Sequence, residues 1–294
     1  MLKHCIVPLF LVASLFAQQG NVEAAPATND AAEALECAII GASLSAGFVD
    51  GPLTGGDADN RTVPLQAVLR GWLRDADAET KVRSAADLMM FRDPKKKGPQ
   101  QIERSLAREP DLVLALDFLF WYAYGHMWLE DGTEEEARLA RLEQGLADLA
   151  RFECPLILGD LPDMKGAARR MIRASQIPSP ETLEKLNARI AEWAAERPNV
   201  VLFPVRREVS VMKEKGIELP LEGGKVQSPP GSMLQGDRLH PNRLGMAWVG
   251  YLLQKQVAKA LGEAWGERLS EWTIDDFIEL CGAEDDLEVV EGIK

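Results

Sequence analysis

Two short segments, widely separated along the chain, hold side chains able to do chemistry. The first reads Gly41-Ala42-Ser43-Leu44-Ser45-Ala46-Gly47. Small residues around Ser43 permit a tight turn and close approach of a substrate. A serine hydroxyl becomes a nucleophile when a neighbouring base takes its proton. The spacing is not that of the G-x-S-x-G elbow, because Ser45 stands where the second glycine would be. It fits neither the dinucleotide-binding nor the P-loop fingerprint. The second segment reads Gly236-Asp237-Arg238-Leu239-His240-Pro241-Asn242. His240 is the kind of base such a serine needs, Pro241 holds it in an extended backbone, and Asp237 is near enough to orient the imidazole. Each segment alone has a plainer reading: a small-residue turn after a strand, and an aspartate capping a turn beside a surface histidine. Ser45 and Ser84 are the other serines to weigh as nucleophile.

The pair of segments resembles the SGNH/GDSL hydrolases, which carry a serine block at the first strand end and a D-x-x-H block before the last long helix. The resemblance covers about residues 37–261. It implies a flavodoxin-like fold, with Ser43 as nucleophile, Asp237 and His240 completing a triad, cleavage of a carboxylic ester through an acyl-enzyme, and no cofactor. It also exposes departures. The family's opening block has Asp after Gly, where this chain has Ala42. Its second block supplies a glycine N–H to the oxyanion hole; the matching stretch here is Arg83-Ser84-Ala85-Ala86, so that the hole is expected from Ser43, Ala85 and Ala86. Its third block supplies an oxyanion-binding Asn, whereas the segment here is Leu116-Asp117-Phe118-Leu119-Phe120-Trp121. Losing one such donor costs about 10²–10³ in rate. Tyr122, Tyr124 and His126 are nearby donors, and Asp117 would donate only if protonated. The alternatives to a hydrolase are a binding protein that kept the fold and lost efficient catalysis, and an acyltransferase.

The aromatic run Phe118–Trp128 follows a strand end, where Asp117, Phe118, Trp121, Tyr122 and His126 form a candidate pocket; a packed loop explains the same run. The acids of Gly159-Asp160-Leu161-Pro162-Asp163-Met164 line the site or make a turn, the turn being the simpler reading, and Lys95-Lys96-Lys97 reads as a solvated loop.

Apolar runs at Cys37–Ala42, Thr80–Ser84, Asp111–Leu116, Pro155–Gly159 and Asn199–Val205 predict five strands. Helical patterns separate or follow them at Val63–Arg74, Pro99–Arg108, Thr133–Phe152, Pro180–Glu196 and Arg243–Leu261, with Thr133 a good N-cap before three glutamates. Continuous apolar strands alternating with helices mean a doubly wound α/β domain, its parallel sheet covered by helices on both faces. Ligands then bind beyond the C-terminal strand ends, where both chemical segments and the aromatic run fall. Residues 262–294 read as a helical extension with an acidic end.

The chain has 294 residues and a formal net charge of −13, which speaks against nucleic-acid binding and against electrostatic docking on anionic lipid. Lys3 and the apolar run from Cys5 to Ala17 read as a signal peptide, with the leader spanning 1–25; the mature protein is expected to be periplasmic or extracellular, with no integral membrane association. Cys37, Cys154 and Cys281 remain after processing and are expected as free thiols. No metal site is expected, since only His126 and His240 survive processing and no CxxC occurs. The partners expected are small-molecule, carbohydrate or lipid esters. N-terminal sequencing of exported protein should begin between Gln18 and Thr28; an intact Met1 on soluble cytoplasmic protein would refute the leader.

Overall fold

A computed structural model describes residues 34–51, 60–127, 132–167 and 172–292. The leader, most of the Gly/Asp-rich loop before the first long helix, and Trp128 lie outside the described residues.

Five parallel strands form the central sheet: β1 (Glu36–Ile39), β2 (Lys81–Ser84), β3 (Leu112–Ala115), β4 (Leu156–Gly159) and β5 (Val200–Phe203), in the order β2-β1-β3-β4-β5. This is the doubly wound order of flavodoxin-like folds. β3 and β4 are buried along their whole length, as a sheet covered on both faces requires. Alternate residues feed two cores. Cys37, Ile39, Leu112, Leu114 and Ile157 face one, which contains α2 (Leu65–Ala76), α7 (Val205–Glu214), α8 (Arg243–Leu261) and α10 (Ile274–Cys281). Ala38, Val113, Ala115, Leu156 and Leu158 face the other, built with α3 (Pro94–Leu106), α4 (Phe120–Ala123), α5 (Glu134–Leu149) and α6 (Pro180–Ala195).

The helix ends follow local chemistry. Thr133 and Glu136 close a capping box on α5. Ser179 caps α6 ahead of Pro180, and Asn242 caps α8 by accepting the Gly245 N–H at 2.9 Å. α3 starts at Pro94 rather than at Pro99. Asp93 caps it through the Lys96 N–H, Pro94 takes the first turn, and Pro99 is carried inside. Lys95, Lys96 and Lys97 are therefore on a helix, not in a loop.

Two elements escape the sequence pattern. α7 is short and charged, and the antiparallel hairpin β6 (Glu218–Leu221) and β7 (Gly224–Gln227) sits in what reads as loop. The tail is also more than an appendage. α10 packs on α8 and α2, and Phe277 is fully buried between Trp72 and Trp272. Gly250 on α8 gives the Phe277 ring its room, since a Cβ there would meet it at 2.7 Å. The tail belongs to the same compact unit as the sheet. Among the described residues no helix is long and apolar enough to cross a membrane. Cys37 and Cys281 are buried free thiols and Cys154 is a half-buried one.

Candidate active site

β1 ends in a turn that lifts Ser43 to the C-terminal edge of the sheet. The chain reverses at Gly41, whose φ of 150° suits glycine, and enters the single-turn helix α1 (Ser43–Ala46), closed by Gly47 in the left-handed region. No side chain of α1's own N-cap, Ala42, holds it. Asp117, at the end of the neighbouring strand β3, does so instead. Its Oδ1 accepts the Ala42 N–H at 3.0 Å and the Ser45 hydroxyl at 2.6 Å, while its Oδ2 accepts the Leu44 N–H at 2.8 Å. A Cβ on Gly41 would lie 2.1 Å from that Oδ1, so the glycine is also what lets the carboxylate approach. The buried Gln101 grips the same peptide from the other side, accepting the Gly41 N–H at 2.7 Å and donating to its carbonyl at 3.0 Å.

The Ser43 hydroxyl meets His240 Nε2 at 2.7 Å, and His240 Nδ1 meets Asp237 Oδ2 at 2.6 Å. Asp237 Oδ1 accepts the N–H groups of Leu239 and His240, at 2.8 and 3.0 Å. The carboxylate thus fixes both the ring and the backbone that carries it. Arg238, between them, takes a left-handed φ of 54°, a strained conformation held by its surroundings. With Nδ1–H donating to Asp237, Nε2 is left to accept the serine proton. His240 and Asp237 are buried. Burial pushes the Asp237 carboxyl up, but the hydrogen bonds from the His240 ring, with those from the two backbone N–H groups, outweigh it and hold the group below the usual carboxylate range.

The histidine loop is tied to the serine turn by residues that no motif announces. The buried Gln235 accepts the Asp50 N–H at 2.8 Å and donates to the carbonyls of Phe48 and Pro241 at 2.9 and 3.0 Å. The Phe48 ring lies 4.6 Å from the His240 ring, and Asn60 donates to the Asp50 carbonyl at 2.6 Å. Gln101, Gln235 and Asn60 give no sequence signal beyond being amides, whose paired donor and acceptor suit them to bridge two backbone segments.

A narrow apolar hollow of about 70 Å³ opens beside Ser43 and His240. It runs under Leu116, Asp117 and Phe120, past Gly159–Pro162, toward Phe203, Val209 and Met212. The strand ends of β3, β4 and β5 thus form its floor, as the fold class predicts. Asp160 lines it and accepts the Arg206 N–H at 2.6 Å, whereas Asp163 only turns the chain, accepting the Lys165 N–H.

The aromatic run contributes differently from the expectation. Asp117 does line the hollow, and so does Phe120, stacked on Tyr124 at 4.2 Å. Phe118 is fully buried in the core beneath, because the turn after β3 carries it to the α3–α6 side, opposite to Leu116. Tyr122 is buried too, its hydroxyl donating to Asp148 at 2.8 Å, and Tyr124 donates to the Pro162 carbonyl. Trp121 packs edge-on against Phe120 and touches Phe91, while His126 is exposed. Phe118, Trp121, Tyr122 and His126 do not line the hollow.

The donors expected from β2 are also engaged elsewhere. The Ala85 N–H completes the sheet ladder to the Ile39 carbonyl at 2.8 Å, and the Ala86 N–H turns to Ser84 Oγ at 3.3 Å. The Ser43 N–H, at the first position of α1, is the donor beside the Ser43 hydroxyl that no acceptor among the described residues takes. Asp117 has donors on both oxygens, which is how a carboxylate is bound, so it is not placed to donate to an oxyanion. Burial nevertheless pushes its pKa up against the hydrogen bonds from Ser45, Ala42 and Leu44.

No protein-family model matches the chain, and no curated protein matches it. Similar solved structures include a gut microbial diltiazem-metabolizing enzyme, at 10% identity and a TM-score of 0.47 over 76% of this chain; the match spans 46% of that enzyme's length. The psychrotrophic esterase EstA from Pseudoalteromonas sp. matches at 13% identity and a TM-score of 0.44, over 78% of this chain and 99% of its own. A variant of Axe2, an acetyl-xylooligosaccharide esterase from Geobacillus, matches at 16% identity and 0.45, over 79% and 95%.

Two outcomes follow from this geometry. Asp117→Ala strips acceptors from buried N–H groups of the serine turn and should destabilise the protein by about 3 kcal/mol, read as a lower midpoint in denaturant; an unchanged midpoint would show that the turn holds itself. The pKa of Asp237 in the folded state lies below its unfolded value of about 3.9, so the stability it adds is complete above that pH and is lost as pH falls through the folded pKa. Asp237→Asn should therefore lower stability at neutral pH, and the gap from wild type should close on acidification; a gap that persists in acid would refute the linkage.

Proposed function

We propose that the protein is a serine hydrolase of the SGNH/GDSL type that cleaves a carboxylic ester. The observation that carries this reading is the buried chain of hydrogen bonds from Ser43 through His240 to Asp237. His240 Nε2 takes the hydroxyl proton as Ser43 Oγ attacks the acyl carbonyl, and Asp237 stabilises the imidazolium that forms. His240 then returns the proton to the leaving alkoxide, freeing an alcohol and leaving the acyl group on Ser43. Water, deprotonated by the same nitrogen, releases the acid and restores the serine.

The hollow beside Ser43 supports an apolar acyl group. Its volume is about five times what one water-sized group needs, which suits a short chain over a long one. The charge and the apolar run at the start of the sequence support export to the periplasm or beyond. The oxyanion site is sparse, with the Ser43 N–H as its evident donor and the Asp117 carboxylate nearby, so turnover should be slower than that of a fully furnished site by about 10²–10³.

A fluorophosphonate tests the reading directly. Wild type should be labelled covalently at Ser43, and Ser43→Ala should lose the label while unfolding at the same midpoint. Equal labelling of the variant would move the nucleophile to another serine and remove the mechanism.

A further inference from the structure

The loop after β2 carries a surface unlike the rest of the molecule. Leu88, Met89 and Phe91, in the 3₁₀ turn Leu88–Arg92, are 44%, 38% and 50% exposed. They are three of the five large hydrophobic side chains exposed among the described residues. The residues that follow are basic. Arg92, Lys95 and Lys96 are exposed, and no ion pair engages them among the described residues. Lys97 is the exception, paired with Asp87 at 2.6 Å. Asp93 is the other acid of the segment, and its carboxylate caps α3. A chain of net charge −13 thus presents a local excess of positive charge beside its most exposed apolar cluster.

The cluster is joined to the catalytic edge. The Asp87 N–H donates to the Gly41 carbonyl at 3.0 Å, two residues before Ser43. The Phe91 ring lies 5.8 Å from Trp121, and Trp121 lies 5.0 Å from Phe120, which lines the hollow. In the sheet, β2 and the β3–β5 group flank β1 on opposite sides, so Ser43 stands between this surface and the hollow.

We propose that the segment Leu88–Lys96 docks the protein on an anionic lipid surface, its apolar side chains entering the interface and Arg92, Lys95 and Lys96 meeting the headgroups. Apolar side chains flanked by basic ones are what peripheral attachment to such a surface needs. The net charge of the chain, which by itself speaks against such docking, is screened beyond about 10 Å at ordinary ionic strength, so the local basic excess decides. Docking here brings lipid to the segment bonded, through Asp87, to the turn that carries Ser43. It does not depend on Ser43 being a nucleophile.

Co-sedimentation with vesicles of phosphatidylcholine, with and without phosphatidylglycerol, tests this. Wild type should bind the anionic vesicles, less so with added salt, and bind the neutral ones weakly. Lys95→Gln and Lys96→Gln should each weaken binding about fivefold, and Phe91→Ser about tenfold. Ser43→Ala should bind as wild type, and a wild type that binds vesicles but takes no fluorophosphonate label would fault the hydrolase reading alone. Equal binding to both vesicle types, or variants that bind like wild type, would overturn the proposal. So would a wild-type dimer in light scattering that Phe91→Ser converts to monomer without vesicle binding, since the patch would then face a second copy. A wild type that ignores vesicles while Phe91→Ser lowers the unfolding midpoint would assign the patch to a segment of this same chain.

Discussion

The turn at the end of β1 depends on a carboxylate that is not its own. Ala42 has no side chain to cap α1, and Asp117 reaches across from β3 to accept the N–H groups of Ala42 and Leu44 and the hydroxyl of Ser45. Gln101 holds Gly41 from the opposite side. Ser43 is thereby positioned by two side chains from outside its segment. An acceptor in this position costs something for chemistry. Asp117 organises the serine turn but withholds two backbone N–H groups from any oxyanion that would form there. Structural order around Ser43 and electrostatic help for the reaction are in competition here.

The second half of the site is matched to the first by similar means. Gln235 joins the exit of α1 to the histidine loop, and Asp237 uses one oxygen for the backbone and the other for the ring. Pro241 and the cap at Asn242 set where α8 begins, and so where His240 ends up. The strained Arg238 is tolerated because these contacts over-determine its position.

The strands, the covered sheet and the two chemical segments were legible because each rests on a local signal. Apolar runs between helical patterns can form only a sheet buried on both faces, and its ends are where reactive groups must gather. The aromatic run differs from its expectation because composition does not say which way a side chain points. Phe118 and Tyr122 turn into the core and Phe120 into the hollow, an outcome set by where β3 ends. Pro94 and Pro99 both suit a first turn, and only the Asp93 cap makes Pro94 the start of α3. Ala85 and Ala86 were expected at the oxyanion on likeness alone, and the ladder and Ser84 claim their N–H groups. Gln101 and Gln235 were invisible because an amide bridge is written in two distant places at once.

Ser43 lies near one end of the described chain, its hydrogen-bond partner His240 far along it, and α10, which packs on α2 and α8, later still. A chain synthesised or threaded from its N-terminus therefore holds an incomplete sheet-and-helix core until α10 has emerged. Phe277 must find its place between Trp72 and Trp272 over the notch at Gly250 before the face of α2 and α8 is dry. Vectorial synthesis thus delays closure of this core until α10 is out, and a chain stalled short of α10 would carry every residue named in the site while leaving the apolar faces of α2 and α8 open to water.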